Sequence, residues 1–274
     1  MIPLAARAPA LALERVTCTF SAARSGAPPY TAVQETSLQV APGEFVSVVG
    51  PTGCGKSTLL NVAAGLIAPT SGTVRVEGEP LRGLNHRAGY LFQAEALMPW
   101  RSARDNVSAG LQFRGAPRKE ALRKAEDWLA RVGLEDFGDR YPHQLSGGMR
   151  KRVSLAQTLI LDPAIVLMDE PFSALDAQTR QLMENQLLEL WSADRKSVAF
   201  ITHDLEEAIA LSDRVVVLSA GPAARPIGEF PIDLPRPRDL AEIKLTPRFA
   251  ELHRQIWELL KAEVLKGHAW QERR

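Results

Sequence analysis

Residues 44–58 constrain the fold more tightly than any other stretch of the chain. Glu44-Phe-Val-Ser-Val-Val49 is a near-continuous apolar run, the pattern of a strand buried on both faces of a parallel sheet. It leads directly into Gly50-Pro-Thr-Gly-Cys-Gly-Lys-Ser-Thr58, and a helical run, Thr58 to Leu66, follows. A strand, a glycine-rich loop and a helix in that order match the phosphate-loop pattern Gly-x4-Gly-Lys-Ser. The backbone from Gly50 through Pro51, Thr52, Gly53, Cys54 and Gly55 can turn its N–H groups inward onto phosphate oxygens, and the helix adds its positive N-terminal end. Lys56 then reaches the β/γ-phosphates of a nucleotide, Ser57 is placed to ligate Mg²⁺, and Thr58 completes the binding set.

Three further runs share the character of the first: Ile165-Val-Leu-Met168, Ser197-Val-Ala-Phe-Ile201 and Arg214-Val-Val-Val-Leu218. They alternate with longer helical patterns, which predicts an α/β fold with a mainly parallel sheet. Polar or small residues follow each run, so the chemistry is expected at the carboxyl ends of the strands. Between the first and last strands, residues 101–161 read as a helical subdomain, including the charged segment Pro117 to Arg131. The expected division is a unit over residues 1–220 and an extension over 221–274. In that extension Leu234-Pro-Arg-Pro-Arg238 reads as an extended connector, because each proline disfavours helix in the residue before it. A last helix follows, with Thr246 as its cap and Pro247 in its first position. Phe249, Leu252, Ile256, Leu260 and Val264 recur at helical spacing, forming a face for the chain's own core or for a partner.

Composition narrows the class further. Lys and Arg total 33 against 32 Asp and Glu, so no global field argues for nucleic acid or an anionic membrane surface. Cys18 and Cys54 lie far apart without metal-binding spacing, which disfavours a structural metal or a disulfide scaffold and fits a reducing compartment. Met1 to Leu13 is broken by Arg7 and has no basic region before it, so no signal peptide is expected. No stretch approaches the ~20 apolar residues of a spanning helix, and membrane association is expected only through a partner.

The run Ile165-Val-Leu-Met-Asp169-Glu170 drives an apolar strand into two carboxylates, which buried positions tolerate only beside a cation. A metal-nucleotide supplies one: Asp169 can hold Mg²⁺ through water, and Glu170 can polarise the water that attacks the γ-phosphate. Leu145-Ser-Gly-Gly-Met149 precedes another helix, so Ser146, Gly147 and Gly148 form a second anion-binding helix terminus.

With Gln93, Ser173-Ala-Leu-Asp176 and His203, these segments form an ordered set that resembles the ATP-binding cassette (ABC) family over about residues 11–220. The resemblance implies a phosphate-loop core with a mainly parallel sheet, an N-terminal antiparallel β part and an inserted helical subdomain. It implies ATP and Mg²⁺ as ligands, with Lys56, Gln93, Glu170 and His203 in hydrolysis and Ser57, Gln93 and Asp169 toward the metal. It further implies a head-to-tail dimer in which Ser146-Gly-Gly148 of one copy closes over ATP held by the other, with Asp176 at the contact. An N-terminal aromatic stacks on adenine in the family; Phe20 matches that position and Tyr30 is its rival, because the insert Ala22 to Pro29 blurs the match.

Leu97-Met-Pro-Trp-Arg101, Tyr141-Pro-His-Gln-Leu-Ser-Gly-Gly-Met-Arg150, Asp169-Glu-Pro-Phe-Ser-Ala-Leu-Asp-Ala-Gln-Thr-Arg180 and Leu234-Pro-Arg-Pro-Arg-Asp239 look like the branch that imports nitrate, sulfonates and taurine. That likeness implies a bacterial importer subunit at the cytoplasmic face of the inner membrane. Its partners would be membrane permease subunits and, indirectly, an extracytoplasmic binding protein. Trp100 then either anchors the permease or packs within the helical subdomain. A soluble cassette ATPase acting on nucleic acid and an exporter subunit are the alternative readings. Gln157 and Ser173 stand where relatives usually carry arginine and glycine.

Overall fold

A computed structural model of the protein describes residues 8–21 and 29–271, with side chains up to Gly267. Residues 22–28 of the insert and most of the N-terminal segment read for a signal lie outside the described residues.

The central sheet has six strands. In chain order they are β3 (Phe45–Val49), β6 (Ala88–Leu91), β7 (Ile165–Asp169), β8 (Ser197–Ile201), β9 (Arg214–Leu218) and β10 (Pro226–Pro231). Their spatial order is β10-β9-β3-β8-β7-β6; the inner pairings are parallel and only β10 runs antiparallel, at one edge. A second sheet, β2-β1-β4-β5, is antiparallel and built from β1 (Leu11–Phe20), β2 (Tyr30–Val40), β4 (Ser71–Val76) and β5 (Glu79–Pro80).

The runs read as continuous apolar strands are buried on both sides, and their two-residue period divides the core. Phe45, Val166, Met168, Val198, Phe200, Val215 and Val217 face one cluster. Val46, Val48, Ile165, Leu167, Ala199, Ile201 and Val216 face the other, which also holds Leu11, Leu13 and Val74 of the antiparallel sheet. The first cluster is covered by α5 (Ala177–Asp194), α6 (Leu205–Leu211), the short α7 (Leu240–Ile243) and α8 (Pro247–Gln271). The second receives Leu59, Leu60, Val62 and Ala63 of α1 (Lys56–Ala63), which starts two residues earlier than expected and ends three residues sooner.

Between β6 and β7 the chain forms α2 (Ala103–Phe113), α3 (Arg118–Arg131) and α4 (Gly147–Leu159), packed around a third cluster that includes Val107, Leu129, Leu134, Val153 and Ile160. The connector after β10 is non-helical, as expected, yet it is not a loose tether. Arg238 donates to the carbonyls of Ala210 and Ser212, and Arg236 to that of Leu211, so the connector's arginines cap the end of α6. Arg236 also stacks on Trp191, 4.2 Å from the ring centroid.

Helix α8 buries Phe249, Leu252, Ile256 and Leu260 in the chain's own core, with Val264 partly buried beside them. Phe249 N–H reaches Thr246 Oγ1 at 3.3 Å, the cap expected from sequence. Leu252→Ala removes a nearly fully buried side chain and should cost about 2–3 kcal/mol, lowering the thermal midpoint by about 5–10 °C. A midpoint within about 1 °C of wild type would show that α8 adds little to the fold.

Candidate active site

The parallel strand order sets the site. β3, β8, β7 and β6 lie side by side, so their carboxyl ends bring Gly50, His203, Asp169 with Glu170, and Gln93 to one edge of the sheet. The phosphate loop closes onto α1 through Gly55, the residue before the helix, which holds φ +100. A Cβ there would lie 2.7 Å from Val33 Cγ1 and 3.1 Å from the Ala32 carbonyl, so glycine is required by both conformation and space.

Lys56 is only 6 % exposed, and its ammonium donates to the carbonyls of Gly50 (2.9 Å) and Pro51 (3.0 Å). The loop thus encloses its own cation at the place where a polyphosphate would lie. Ser57 Oγ donates to Asp169 Oδ1 at 2.9 Å, joining the first residues of α1 to the end of β7. Burial pushes the Asp169 carboxyl up from its usual range, and the charge of Glu170 adds to this, while hydrogen bonds from Ser57 and Tyr90 and the charge of Lys56 oppose it.

Glu170 is held at φ +43, left-handed backbone that a non-glycine residue adopts only under constraint. The constraint is visible: Glu170 N–H donates to the Ile201 carbonyl at 2.9 Å, and Ser173 Oγ donates to the Glu170 carbonyl at 3.0 Å. This conformation sets Glu170 Oε2 3.0 Å from His203 Nδ1. Two side chains from neighbouring strand ends therefore form one acid–imidazole pair.

Phe20, Tyr30, Thr52, Gly53, Gly55, Lys56, Ser57, Thr58, Gln93 and Glu170 line a single groove of about 350 Å³. Phe20 and Tyr30 are direct cross-strand partners at its mouth, and Tyr30 also donates to the Gly53 carbonyl at 3.3 Å. Both aromatics are thus in place for a flat ring. Gly50 and Pro51 border an adjoining groove with His203, Trp257 and Val264, so α8 runs beside the phosphate loop. Cys54 is fully buried and contributes backbone, not an accessible thiol. A more enclosed, mainly apolar cavity, about 380 Å³ between α3, α4 and α5, is lined by Trp128, Leu159, Met168 and Trp191; the charged residues at its border include Lys196, paired with Asp162 and Asp194, and none of the phosphate-loop residues reaches it.

Ser146, Gly147, Gly148 and Asp176 do not line the nucleotide groove of their own chain. Ser146 caps α4, with Oγ accepting from Met149 N–H at 3.2 Å, and Asp176 caps α5, accepting from Thr179 N–H at 2.9 Å. The α4 terminus lies against the α5 terminus closely enough that a Cβ at Gly148 would meet Thr179 Cγ2 at 2.6 Å.

Sequence reasoning passed over two supporting groups. Lys151, inside the basic run Arg150-Lys-Arg152, is 2 % exposed and donates to the Gln93 carbonyl, tying α4 to the Gln93 segment. Its spacing with Ser154, Leu155 and Thr158, all buried, was the available signal. Asn106 is the other: its side chain accepts from Met98 N–H (2.7 Å) and donates to the carbonyls of Met98 and Arg101, fixing the turn that carries Trp100.

Comparison with known proteins identifies the family. Residues 33–173 match the ABC transporter domain family. An uncharacterized ABC transporter ATP-binding protein of Methanocaldococcus jannaschii is 49% identical over 237 residues, covering 86% of each chain. A taurine import ATP-binding protein of Jannaschia sp. is 39% identical over 252 residues, 90% of this chain and 92% of that one. Among solved structures, a dimeric ATP-binding cassette in a post-hydrolysis state bound to ADP and Pi superposes with a TM-score of 0.72 at 33% identity, over 82% of this chain and 99% of that one. The chain belongs to the ABC transporter family and is one of its ATP-binding, ATP-hydrolysing subunits.

Proposed function

We propose that the protein energises an importer of the nitrate, sulfonate and taurine type, hydrolysing ATP at the cytoplasmic face of a membrane to drive a partner permease. The observation that carries the reading is the Glu170–His203 pair beside a phosphate cradle, in a chain similar over nine tenths of its length to a taurine import ATP-binding protein. No helix among the described residues is long and apolar enough to cross a membrane, so a separate permease is the partner this reading requires.

In this mechanism the γ-phosphate takes over the Lys56 ammonium from the Gly50 and Pro51 carbonyls, while backbone N–H groups at the start of α1 receive the phosphate oxygens. Phe20, beside Tyr30, is the stacking surface for adenine. Glu170 accepts the proton of the attacking water, and His203 keeps that carboxylate in place. The hydroxyl of Ser57, the carboxylate of Asp169 and the amide oxygen of Gln93 are hard oxygen donors of the kind Mg²⁺ takes, and Ser57 and Asp169 already meet at 2.9 Å. Bound there, Mg²⁺ would neutralise phosphate charge during transfer.

The α4 terminus at Ser146 and the cap at Asp176 do not line their own groove, which supports a head-to-tail dimer in which each completes the other copy's site. Binding then favours the closed pair and hydrolysis releases it, because the γ-phosphate bridges the copies only in the closed state.

Trp100 is 73 % exposed at the tip of the turn held by Asn106, and Arg101 stacks on the equally exposed Phe113, 5.5 Å from its ring. An aromatic presented in this way is the kind of residue that anchors an interface. In detergent or lipid with its permease, Trp100→Ala should weaken subunit affinity about 30-fold. Permease-stimulated ATP turnover measured on the same samples tests the whole reading. Stimulation by nucleic acid and not by permease would overturn it.

A further inference from the structure

Two acids that the hydrolytic site does not use are buried beneath the segments carrying His203 and Asp176. Glu207 on α6 is 4 % exposed and Glu184 on α5 is 2 % exposed. Glu207 Oε1 is enclosed and has no hydrogen-bond partner. An ionised carboxylate is poorly tolerated in such a place, and the neutral acid much better.

The turn at His203 is tied to the first turn of α6, which carries Glu207. Thr202, just before the histidine, accepts Asp204 N–H through Oγ1 at 2.9 Å. Asp204, just after the histidine, accepts the N–H groups of Glu206 (2.9 Å) and Glu207 (3.2 Å) through Oδ1. From α5, Arg180 donates Nη2 to the Leu175 carbonyl at 2.9 Å and pairs through Nη1 with Asp204 Oδ2 at 3.5 Å. One network thus joins the segment before Asp176 to both neighbours of His203.

Burial, more than the charges around them, opposes ionisation of these acids. Burial is the largest cause lifting Glu207, to about 8, with Glu184 and Asp204 adding to it and Thr202 and Arg180 opposing it. Burial likewise lifts Glu184 to about 7; Asp204 and Glu206 add to it, while Lys244 and Arg180 oppose it. Both acids take up protons on folding. Their stabilisation is therefore complete below the ordinary 4.5 and is lost as pH rises through the folded values of about 7 and about 8.

We propose that Glu207, as the neutral acid, is a positioning residue for His203, holding the Thr202–Asp204 turn so that the imidazole stays against Glu170. Losing the proton puts a charge beside Glu184 and Asp204, repels Asp204, competes for Arg180 and loosens the turn. The inference rests on Glu170 and His203 being the hydrolytic pair.

The test is steady-state ATP turnover by the full chain from about pH 6 to about pH 9.5, with ATP affinity from a fluorescent ATP analogue and the thermal midpoint read alongside. Wild-type kcat should fall along an alkaline limb centred near the Glu207 value of about 8. Glu207→Gln, uncharged at every pH and nearly the same shape, should stay within about twofold of wild type at neutral pH and lose that limb. Its thermal midpoint should also decline less on the alkaline side. Glu207→Ala should lower kcat roughly 10-fold at nearly unchanged ATP affinity, the split expected when a reacting group is misplaced but the nucleotide still binds. A wild-type limb surviving in Glu207→Gln overturns the proposal even if the alanine variant does not fold. So does wild-type kcat in a folded Glu207→Ala. Brisk turnover by Glu170→Gln removes the hydrolytic pair itself, whatever the Glu207 variants do.

Discussion

Glu170→Gln should lower ATP turnover by about 10²–10⁴-fold, the range lost with a general base, while ATP still binds. The amide has nearly the shape of the carboxylate, and its oxygen can still face His203 Nδ1, which lies 3.0 Å from Oε2 in the native side chain. The backbone strain at φ +43 is met by contacts of the Glu170 main chain with Ile201 and Ser173, none of which the substitution touches. Only proton acceptance is removed. The Lys56 cradle and the Ser57–Asp169 contact are also left in place, so nucleotide affinity should change by less than about threefold. If the γ-phosphate bridges two copies, unhydrolysed ATP should accumulate a dimer, readable by light scattering with and without Mg²⁺-ATP. Turnover within about tenfold of wild type would remove Glu170 from this role and leave His203 without a function in hydrolysis. Loss of turnover together with loss of ATP binding would point to local collapse instead.

The strands were legible because burial on both faces of a parallel sheet leaves continuous apolar runs, and β3, β7, β8 and β9 each appeared as one in the sequence. The phosphate loop was legible because glycine at φ +100 and a lysine enclosed by carbonyls leave few other residue choices. What escaped were contacts between elements far apart in the chain. Arg236 and Arg238 sit in a proline-rich connector, and nothing local says that they cap α6, some 25 residues earlier. Lys151 reads as one more member of a basic run until α4 packs against the Gln93 segment. The approach of α8 to the phosphate loop, through Val264 and Gly267 beside Pro51, is of the same kind. Helical periodicity showed that α8 had an apolar face but could not say which surface would receive it. Phe20 and Tyr30 read as rivals in the sequence, because nothing local says that strand register sets them opposite each other in one groove.

Lys56→Ala should act on the step before chemistry, lowering ATP affinity by about 10²–10³-fold, which corresponds to about 3–4 kcal/mol, within the range lost when one partner of a buried charged contact is deleted. Lys56 is enclosed by its own loop, so its ammonium is already desolvated and aimed inward before nucleotide arrives. The phosphate gains a strong charge-assisted bond without first having to dehydrate a mobile lysine. Arginine is a poor substitute, since its planar fork is wider than an ammonium that bonds two carbonyls of one tight loop at 2.9 and 3.0 Å. The difference from Glu170→Gln is measurable in one experiment. At an ATP concentration of about 100 times the wild-type Kd, ligand binding stabilises the folded chain by about 2.7 kcal/mol. Glu170→Gln should keep that thermal shift, and Lys56→Ala should lose most of it, because the same concentration no longer saturates the site. A full ATP-induced shift in folded Lys56→Ala would mean that the backbone N–H groups and the α1 terminus hold the nucleotide without the lysine, and its place would then be in phosphoryl transfer alone.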